Sequence, residues 1–251
     1  MAKKQADFGY KKVDADKKAG LVGEVFSSVA TKYDLMNDLM SAGLHRIWKD
    51  KFTNKIILKK GLKLIDVAGG TGDIAFRLYK KAKESGKNIE ITICDINSEM
   101  LEQGRARAID RNILKGIEWK QGDAQKLPFK NNTFDCYTIA FGIRNVTQID
   151  KALQEAYRVL KPGGKFYCLE FSKVANPLLA KLYDVYSFSV IPKVGGMVAG
   201  NEDAYQYLVE SIRKFPDRDK FSKMIREAGF QNVQSEMLNM GVVAIHEGQK
   251  K

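Results

Sequence analysis

The stretch YTIAFGIRNVT, residues 137 to 147, runs an apolar segment of the kind that fills a buried strand into a guanidinium and an amide, Arg144 and Asn145. With its pKa above about 12, an arginine is a poor base, but it is suited to holding a developing oxyanion or to orienting a water that takes the proton. Asn145 stands where it can fix that guanidinium. Carboxylates close or follow three other apolar runs: Asp66 in LKLIDV, Asp95 in IEITICD and Asp123 in GDAQKLPF, residues 122 to 129. Between them, LIDVAGGTGD, residues 64 to 73, reads as strand, glycine-rich turn and helix start, an order that lets a backbone approach a nucleotide-like ligand closely.

Gly70, Gly72 and Ala75 satisfy G-x-G-x-x-A, with Asp95 on the next strand, so a nicotinamide-dependent dehydrogenase fits this spacing too. Asp66 separates the two ligands. A carboxylate there meets a dinucleotide pyrophosphate with like charge, whereas S-adenosyl-L-methionine brings an ammonium and a sulfonium and no phosphate. Asp123 can accept from an adenine amino group while the Ala124 amide donates to the ring. The bland alternatives are that the glycines serve turn geometry only and that Asp95 and Asp123 are ordinary turn or cap residues.

The elements that must position these groups alternate from Leu62 onward: LKLIDV, a helix from Asp73 to about Glu84, IEITICD, a helix from Ser98 to about Asn112, IEWKQGD, FDCYTIAF with its apolar run to Ile143, a helix from about Gln148 to Leu160, and GKFYCLEF after the tight turn KPGG. Five strands with crossover helices predict an α/β, doubly wound, mostly parallel sheet. After Ser172 come helical stretches near Pro177 to Phe188, Glu202 to Ile212 and Arg218 to Ala228. Two runs, FQNVQSEMLN and GVVAIHE, then form a terminal hairpin, which brings the strands to seven. Ahead of the sheet, YDLMNDLMSAGLHRIW, residues 33 to 48, places Met36, Leu39, Met40, Leu44, Ile47 and Trp48 at helical spacing. It reads as a helix packed on the core or a Met-rich cap over an apolar ligand, with Gly43 dividing it in two. We take 1–251 as one domain: an N-terminal helical cap to residue 60, a cofactor-binding half over 61–172, and a substrate-side insert with the hairpin over 173–251.

Composition bounds the rest. Formal charge is +12 from 42 Lys and Arg against 30 Asp and Glu, and the first sixty residues, with 13 basic and 7 acidic, supply half of it. That balance suits nucleic acid or an anionic membrane surface, and equally a merely solvated one. Cys94, Cys136 and Cys168 lie far apart in β-like runs and read as reduced, buried thiols, so a cytoplasmic setting is expected. His45 and His246 have no cysteine or carboxylate pair at ligand spacing, and no metal is expected. The charged start lacks the apolar core of a signal peptide, and 185–200 is too broken by Pro192, Lys193 and glycines to span a bilayer.

The glycine loop, the ribose acid Asp95 and the adenine acid Asp123, in that order, resemble the class I S-adenosyl-L-methionine-dependent methyltransferases, which implies a Rossmann-like sheet of order 3-2-1-4-5-7-6 with the seventh strand antiparallel. YDLMNDLMSAGLHRIW, RVLKPGGKFYCLEFS, NNTFD and FGIRNV are similar to the ubiquinone/menaquinone biosynthesis C-methyltransferase family over nearly the whole chain. The resemblance implies methylation of a ring carbon of a polyprenyl hydroquinone, either demethylmenaquinol or 2-polyprenyl-6-methoxy-1,4-benzoquinol. It places cofactor contacts on Thr71, Asp95, Asp123 and Ala124, together with Ala140, where the family often has Ser and where only a backbone contact is left. A phenol, with a pKa near about 10, must lose its proton to become a competent carbon nucleophile, which gives Arg144 and Asn145 a catalytic role and leaves Tyr33 and His45 as weaker candidates. The polyprenyl tail implies an apolar groove, with YDVYSFSVIP, Tyr205 and Tyr207 as its wall. It also implies peripheral contact with the inner membrane through the basic N-terminal end, and other quinone-biosynthesis enzymes or a second copy of the chain as partners. The competing readings are a methyltransferase acting on RNA or another small molecule, and a binding module that has lost turnover; no RNA-binding appendage or damaged glycine loop supports either.

Overall fold

A computed structural model describes residues 5–29, 37–38, 41, 43–174 and 202–251. Tyr33, Met36, Leu39, Met40 and the expected groove wall and helix within 175–201 lie outside these residues. The chain opens with a hairpin, β1 (Gln5–Phe8) and β2 (Lys11–Asp14), where helices alone were expected, and continues into α1 (Ala15–Val29). Helix α2 (His45–Lys55) follows the left-handed Gly43. Beyond it lie β3 (Lys63–Val67), α3 (Asp73–Glu84), β4 (Glu90–Asp95), α4 (Ser98–Asp110), β5 (Ile117–Gln121), β6 (Phe134–Ala140), α5 (Ile149–Val159) and β7 (Leu160–Phe171). The described chain ends with α6 (Glu202–Lys214), α7 (Arg218–Glu227), β8 (Gln231–Leu238) and β9 (Val243–Gln249).

The seven-stranded sheet runs β5-β4-β3-β6-β7-β9-β8, parallel except for β9, which is the expected order and the expected antiparallel strand. Its central strands are buried on both faces, as a sheet covered by helices on each side requires. Alternation along β3 divides them: Leu64 joins a cluster with Trp48, Phe52, Leu78 and Ile91, while Ile65 and Val67 join one with Tyr137, Leu153, Phe166 and Phe221. Burying each such side chain contributes about 1.5–3 kcal/mol. Cys94, Cys136 and Cys168 are free and buried.

Two sequence expectations shift. The KPGG segment does not precede the fifth core strand but lies inside it, as a bulge where the β6–β7 register jumps from Phe134↔Leu160 to Cys136↔Lys165. The fourth core strand stops at Ala140 rather than Ile143. Phe141 takes a left-handed backbone, φ 55°, which cannot continue the pleat, and Ile143–Asn145 forms a 3-10 turn that buries Ile143.

Candidate active site

A cleft open to solvent lies beyond the carboxyl ends of β3, β4, β5 and β6, where open α/β sheets hold their ligands. Its floor at β3 is Ala68 and Gly70. At β4 the Asp95 carboxylate accepts the amides of Gly70 (2.8 Å) and Asn97 (2.9 Å), which ties the glycine loop to the next strand. Asn97 also caps α4 by accepting the Met100 amide. At β5, Asp123 and Ala124 line the cleft as expected. Both Asp123 oxygens take the side-chain amide of Gln125, and Oδ1 takes its backbone N–H at 2.8 Å. Burial raises the Asp95 pKa, and the amides of Asn97, Gly70 and Ile96 oppose that.

Four expected contact residues do not line the cleft. The Asp66 carboxylate is fully buried beneath the loop: Oδ1 accepts the Thr138 hydroxyl at 2.8 Å, and Oδ2 stands 2.9 Å from where a Cβ on Gly69 would be, with no hydrogen-bond partner. Burial pushes its pKa up to about 7, and the negative charges of Asp95 and Asp73 add to that. Thr71, itself buried, accepts from Arg107 through its hydroxyl at 3.1 Å. Gly72 is required by its φ of +84° and by Trp119, whose ring would lie 2.9 Å from an added Cβ, so it starts α3 instead of touching a ligand. Ala140 ends β6 one residue short; the cleft surface there is Phe141 and Gly142, and Gly142 is held to glycine by Ala68, whose Cβ would lie 2.5 Å from its own.

The Arg144 side chain, 4% exposed, does not reach the cleft surface. Its guanidinium donates to Glu170 Oε1 at 2.9 Å and to the Phe141 carbonyl, and stacks over Phe171 at 5.3 Å. The partner that fixes it is therefore Glu170 on β7, 1% exposed, and not Asn145. Glu170 also accepts the amides of Phe171 (2.9 Å) and Arg144 (3.3 Å); burial raises its pKa against the pull of Arg144. Asn145 does line the cleft, and its Oδ1 accepts the Tyr207 hydroxyl at 3.1 Å. Tyr205 and Tyr207 are themselves buried in the core.

The roof of the cleft comes from a helix that carried no functional expectation. Ala19, Val22, Gly23 and Phe26 of α1 form one stripe at helical spacing over it. Asn97 holds this helix down by donating to the Gly23 carbonyl (3.3 Å) and the Ser27 hydroxyl (3.0 Å). None of the described residues of the expected Met-rich cap lines the cleft. His45 is buried and bonded to Asp38 at 2.9 Å, and burial lowers its pKa against the pull of Asp38; Trp48 donates to Asn239 at 2.7 Å.

The donor set fits an adenosyl cofactor: a carboxylate on the strand after the glycine loop, a carboxylate and an adjoining amide one strand further, and a loop whose Gly70 amide closes onto the first of these acids. Solved structures with this fold include a possible histamine N-methyltransferase from Thermotoga maritima, with a TM-score of 0.63 and 18% identity, covering 92% of this chain and all of the other. A putative methyltransferase solved with the Haloferax volcanii Trm112 activator gives a TM-score of 0.64 and 16% identity over 91% and 96%. By sequence the chain is 55% identical to the ubiquinone/menaquinone biosynthesis C-methyltransferase UbiE of Rickettsia bellii over 98% of this chain and 99% of the relative. It is also 55% identical to the mitochondrial 2-methoxy-6-polyprenyl-1,4-benzoquinol methylase of Oryza sativa subsp. japonica over 97% and 87%. Residues 11–250 match the model of the ubiE/COQ5 methyltransferase family, and with these relatives at this coverage the chain belongs to that family of S-adenosyl-L-methionine-dependent C-methyltransferases.

Proposed function

We propose that this protein methylates a ring carbon of a polyprenyl hydroquinone, demethylmenaquinol or 2-polyprenyl-6-methoxy-1,4-benzoquinol, in respiratory quinone biosynthesis. The names of the two relatives support the substrate class. The observation that carries the reading in this chain is the cleft itself, with two carboxylates at the adenosine end and an aromatic and amide corner, Phe141 to Asn145, at the other. Bound there, S-adenosyl-L-methionine supplies an electrophilic methyl group on a sulfonium sulfur.

The chain's own residues divide the remaining work. Asp95, Asp123 and the Ala124 amide hold the adenosine, and Asp66 supports the loop from below. Arg144, neutralised by Glu170, grips the Phe141 carbonyl and so fixes the corner from behind, while Asn145 presents its amide to the ring oxygens. Apolar lining by Val22, Phe26 and Phe141 keeps bulk water from the reacting carbon. No helix among the described residues is long and apolar enough to cross a membrane. The exposed Lys11 and Lys12 on β2 suit a peripheral contact with anionic lipid, through which a polyprenyl substrate would be reached. Liposome sedimentation that ignores both anionic lipid and salt overturns that contact.

The substrate is tested by incubating the protein with methyl-labelled S-adenosyl-L-methionine and each short-chain hydroquinone. Label on a ring carbon is expected; label on tRNA or rRNA and on neither quinol refutes the assignment.

A further inference from the structure

A second cavity lies at the opposite end of the sheet from the cleft, between the loop after α2 and the KPGG bulge of β7. Lys59, Lys60, Lys161 and Lys165 line it against a single carboxylate, Asp135 at the amino end of β6. That carboxylate is already occupied: Oδ1 accepts from the Lys161 ammonium at 2.7 Å and Oδ2 from the Lys63 amide at 2.8 Å. Among the described residues, none of Lys59, Lys60 and Lys165 forms an ion pair. Glu247, opposite Tyr167 on β9, does not line the cavity. Tyr167 itself is part of the wall, two residues after Lys165 and so on the same face of the sheet. It is 2% exposed, and its hydroxyl bonds to no described residue. Unlike the Tyr205 hydroxyl, which is unbonded and sealed, it is not shut off from solvent. A buried tyrosine hydroxyl ordinarily has a partner, and this one faces a cavity rich in unpaired positive charge.

We propose that this cavity binds a phosphate group carried by a soluble small molecule. The unpaired ammoniums of Lys59, Lys60 and Lys165 supply point charges, and the Tyr167 hydroxyl supplies a directional donor between them. Concave walls of low polarity, here Leu62, Cys136 and the Tyr167 ring, focus that field on whatever enters. The bulge amide of Gly163 is spent on the Lys250 carbonyl at 2.8 Å, so the donors are side chains. The bulge presents Lys161 and Lys165 to the cavity, and it needs its glycines: Gly163 holds a φ of +80°, and a Cβ on Gly164 would lie 2.7 Å from the Lys161 carbonyl. Ile57, 62% exposed, and Pro162 give the cavity an apolar edge, which suits a phosphate ester with an apolar body better than the bare ion. A lipid headgroup carries the same chemistry, but β6 separates this cavity from the cleft by about 17–20 Å, and a bilayer that feeds the cleft lies at the other end of the sheet.

The test titrates the full chain with phenyl phosphate by calorimetry at constant ionic strength, with inorganic phosphate and phenol as comparisons. Saturable binding of phenyl phosphate is expected, weaker for inorganic phosphate and absent for phenol. Tyr167→Phe removes one oxygen that has no partner in the protein. It is expected to leave Tm and cofactor affinity at their wild-type values while weakening phenyl phosphate about tenfold or more. Lys165→Met is expected to weaken it to a similar degree, with Lys165→Arg recovering most of the loss. A tyrosine that serves the fold alone gives the reverse result, a changed Tm with unchanged affinity, and overturns the proposal. Binding that chloride abolishes at matched ionic strength, or that both variants retain in full, overturns it as well. The second arm is sedimentation with phosphatidylglycerol vesicles. Sedimentation that depends on Lys165 and Tyr167, in a protein that ignores phenyl phosphate, refutes the soluble source and assigns the cavity to a lipid headgroup.

Discussion

Breaking the Arg144–Glu170 pair one side at a time, and then on both sides, measures what the pair does. Both side chains are almost fully buried, and removing either partner of such a pair leaves a charge with no water and no counter-charge, at a cost of about 3–5 kcal/mol. The two halves are not equivalent. Glu170→Ala strands a guanidinium that cannot deprotonate and also orphans the amides of Phe171 and Arg144, so it belongs at the upper end of that range. Arg144→Met strands a carboxyl whose pKa burial already raises, so it can take up a proton, and the loss should sit at the lower end and shrink as pH falls. For a chain of this length roughly 2–4 °C of Tm goes with each kcal/mol, which makes Glu170→Ala, at about 5 kcal/mol, a loss of about 10–20 °C.

The double variant, Arg144→Met with Glu170→Ala, removes both charges, and what remains is the orphaned backbone: the Phe141 carbonyl and two amides. Its loss should therefore fall short of the sum of the singles by about 1–3 kcal/mol. Urea unfolding at pH 7.5, extrapolated linearly, supplies all four corners of the cycle. Turnover should not recover with stability, because Phe141 and Asn145 lose their anchor in the double variant as in the singles. Singles that add within about 0.5 kcal/mol, or a double variant that recovers wild-type kcat, refute the view that the pair fixes the catalytic corner.

Asp66 gives a pH signature. Its folded pKa of about 7 lies above the unfolded 3.8, so the folded chain holds the extra proton and stability is full below about pH 4 and falls as pH rises to 7, by up to about 4 kcal/mol. Asp66→Asn should abolish that fall in urea midpoints taken at pH 5 and 7.5; a variant with the wild-type slope would assign the proton elsewhere. Gly72→Ala forces a Cβ into a left-handed residue and against Trp119, for a loss of about 2–4 kcal/mol in urea unfolding, whereas a loss under about 1 would mean that the loop yields. Asn97→Ala removes the α4 cap, about 1 kcal/mol, and frees α1 from its hold at Gly23 and Ser27. It should weaken cofactor binding by calorimetry more than it lowers Tm, and unchanged affinity would show that α1 needs no such tether.

Much of the fold was legible in the sequence because apolar runs and helical periods report burial directly: α3 spans the predicted residues, and the sheet order follows from alternation plus the expected terminal hairpin. The hairpin β1–β2 was missed because its strands are short and only partly buried, which leaves little alternation to read. The end of β6 was misplaced for a different reason. Ile143 is apolar because it is buried in the turn after the strand, and composition cannot distinguish a buried turn from one more residue of strand; the left-handed backbone at Phe141 makes that difference.

The candidate site divides along the same line. Asp95, Asp123 and Ala124 could be found because each sits at a strand end, and in this fold strand ends converge on one cleft. Asp66, Thr71 and Gly72 belong to the same short segment yet face the loop's underside, Arg107 and Trp119, because neighbouring residues of a tight turn point in different directions and the motif does not say which one meets the ligand. The partner of Arg144 lay further out of reach. Glu170 is 26 residues away and comes beside it only through the β6–β7 register that pairs Ala140 with Leu169, a register set beyond the four-residue bulge at KPGG. Lys18 and Val146 are 128 residues apart and meet only because α1 folds back over the sheet. The groups proposed to hold the adenosine are thus local to their strands, whereas those proposed to shape the reacting corner are assembled from α1, the turn after β6, β7 and α6, so substitutions distant in sequence should alter turnover there while leaving the cofactor end of the cleft intact.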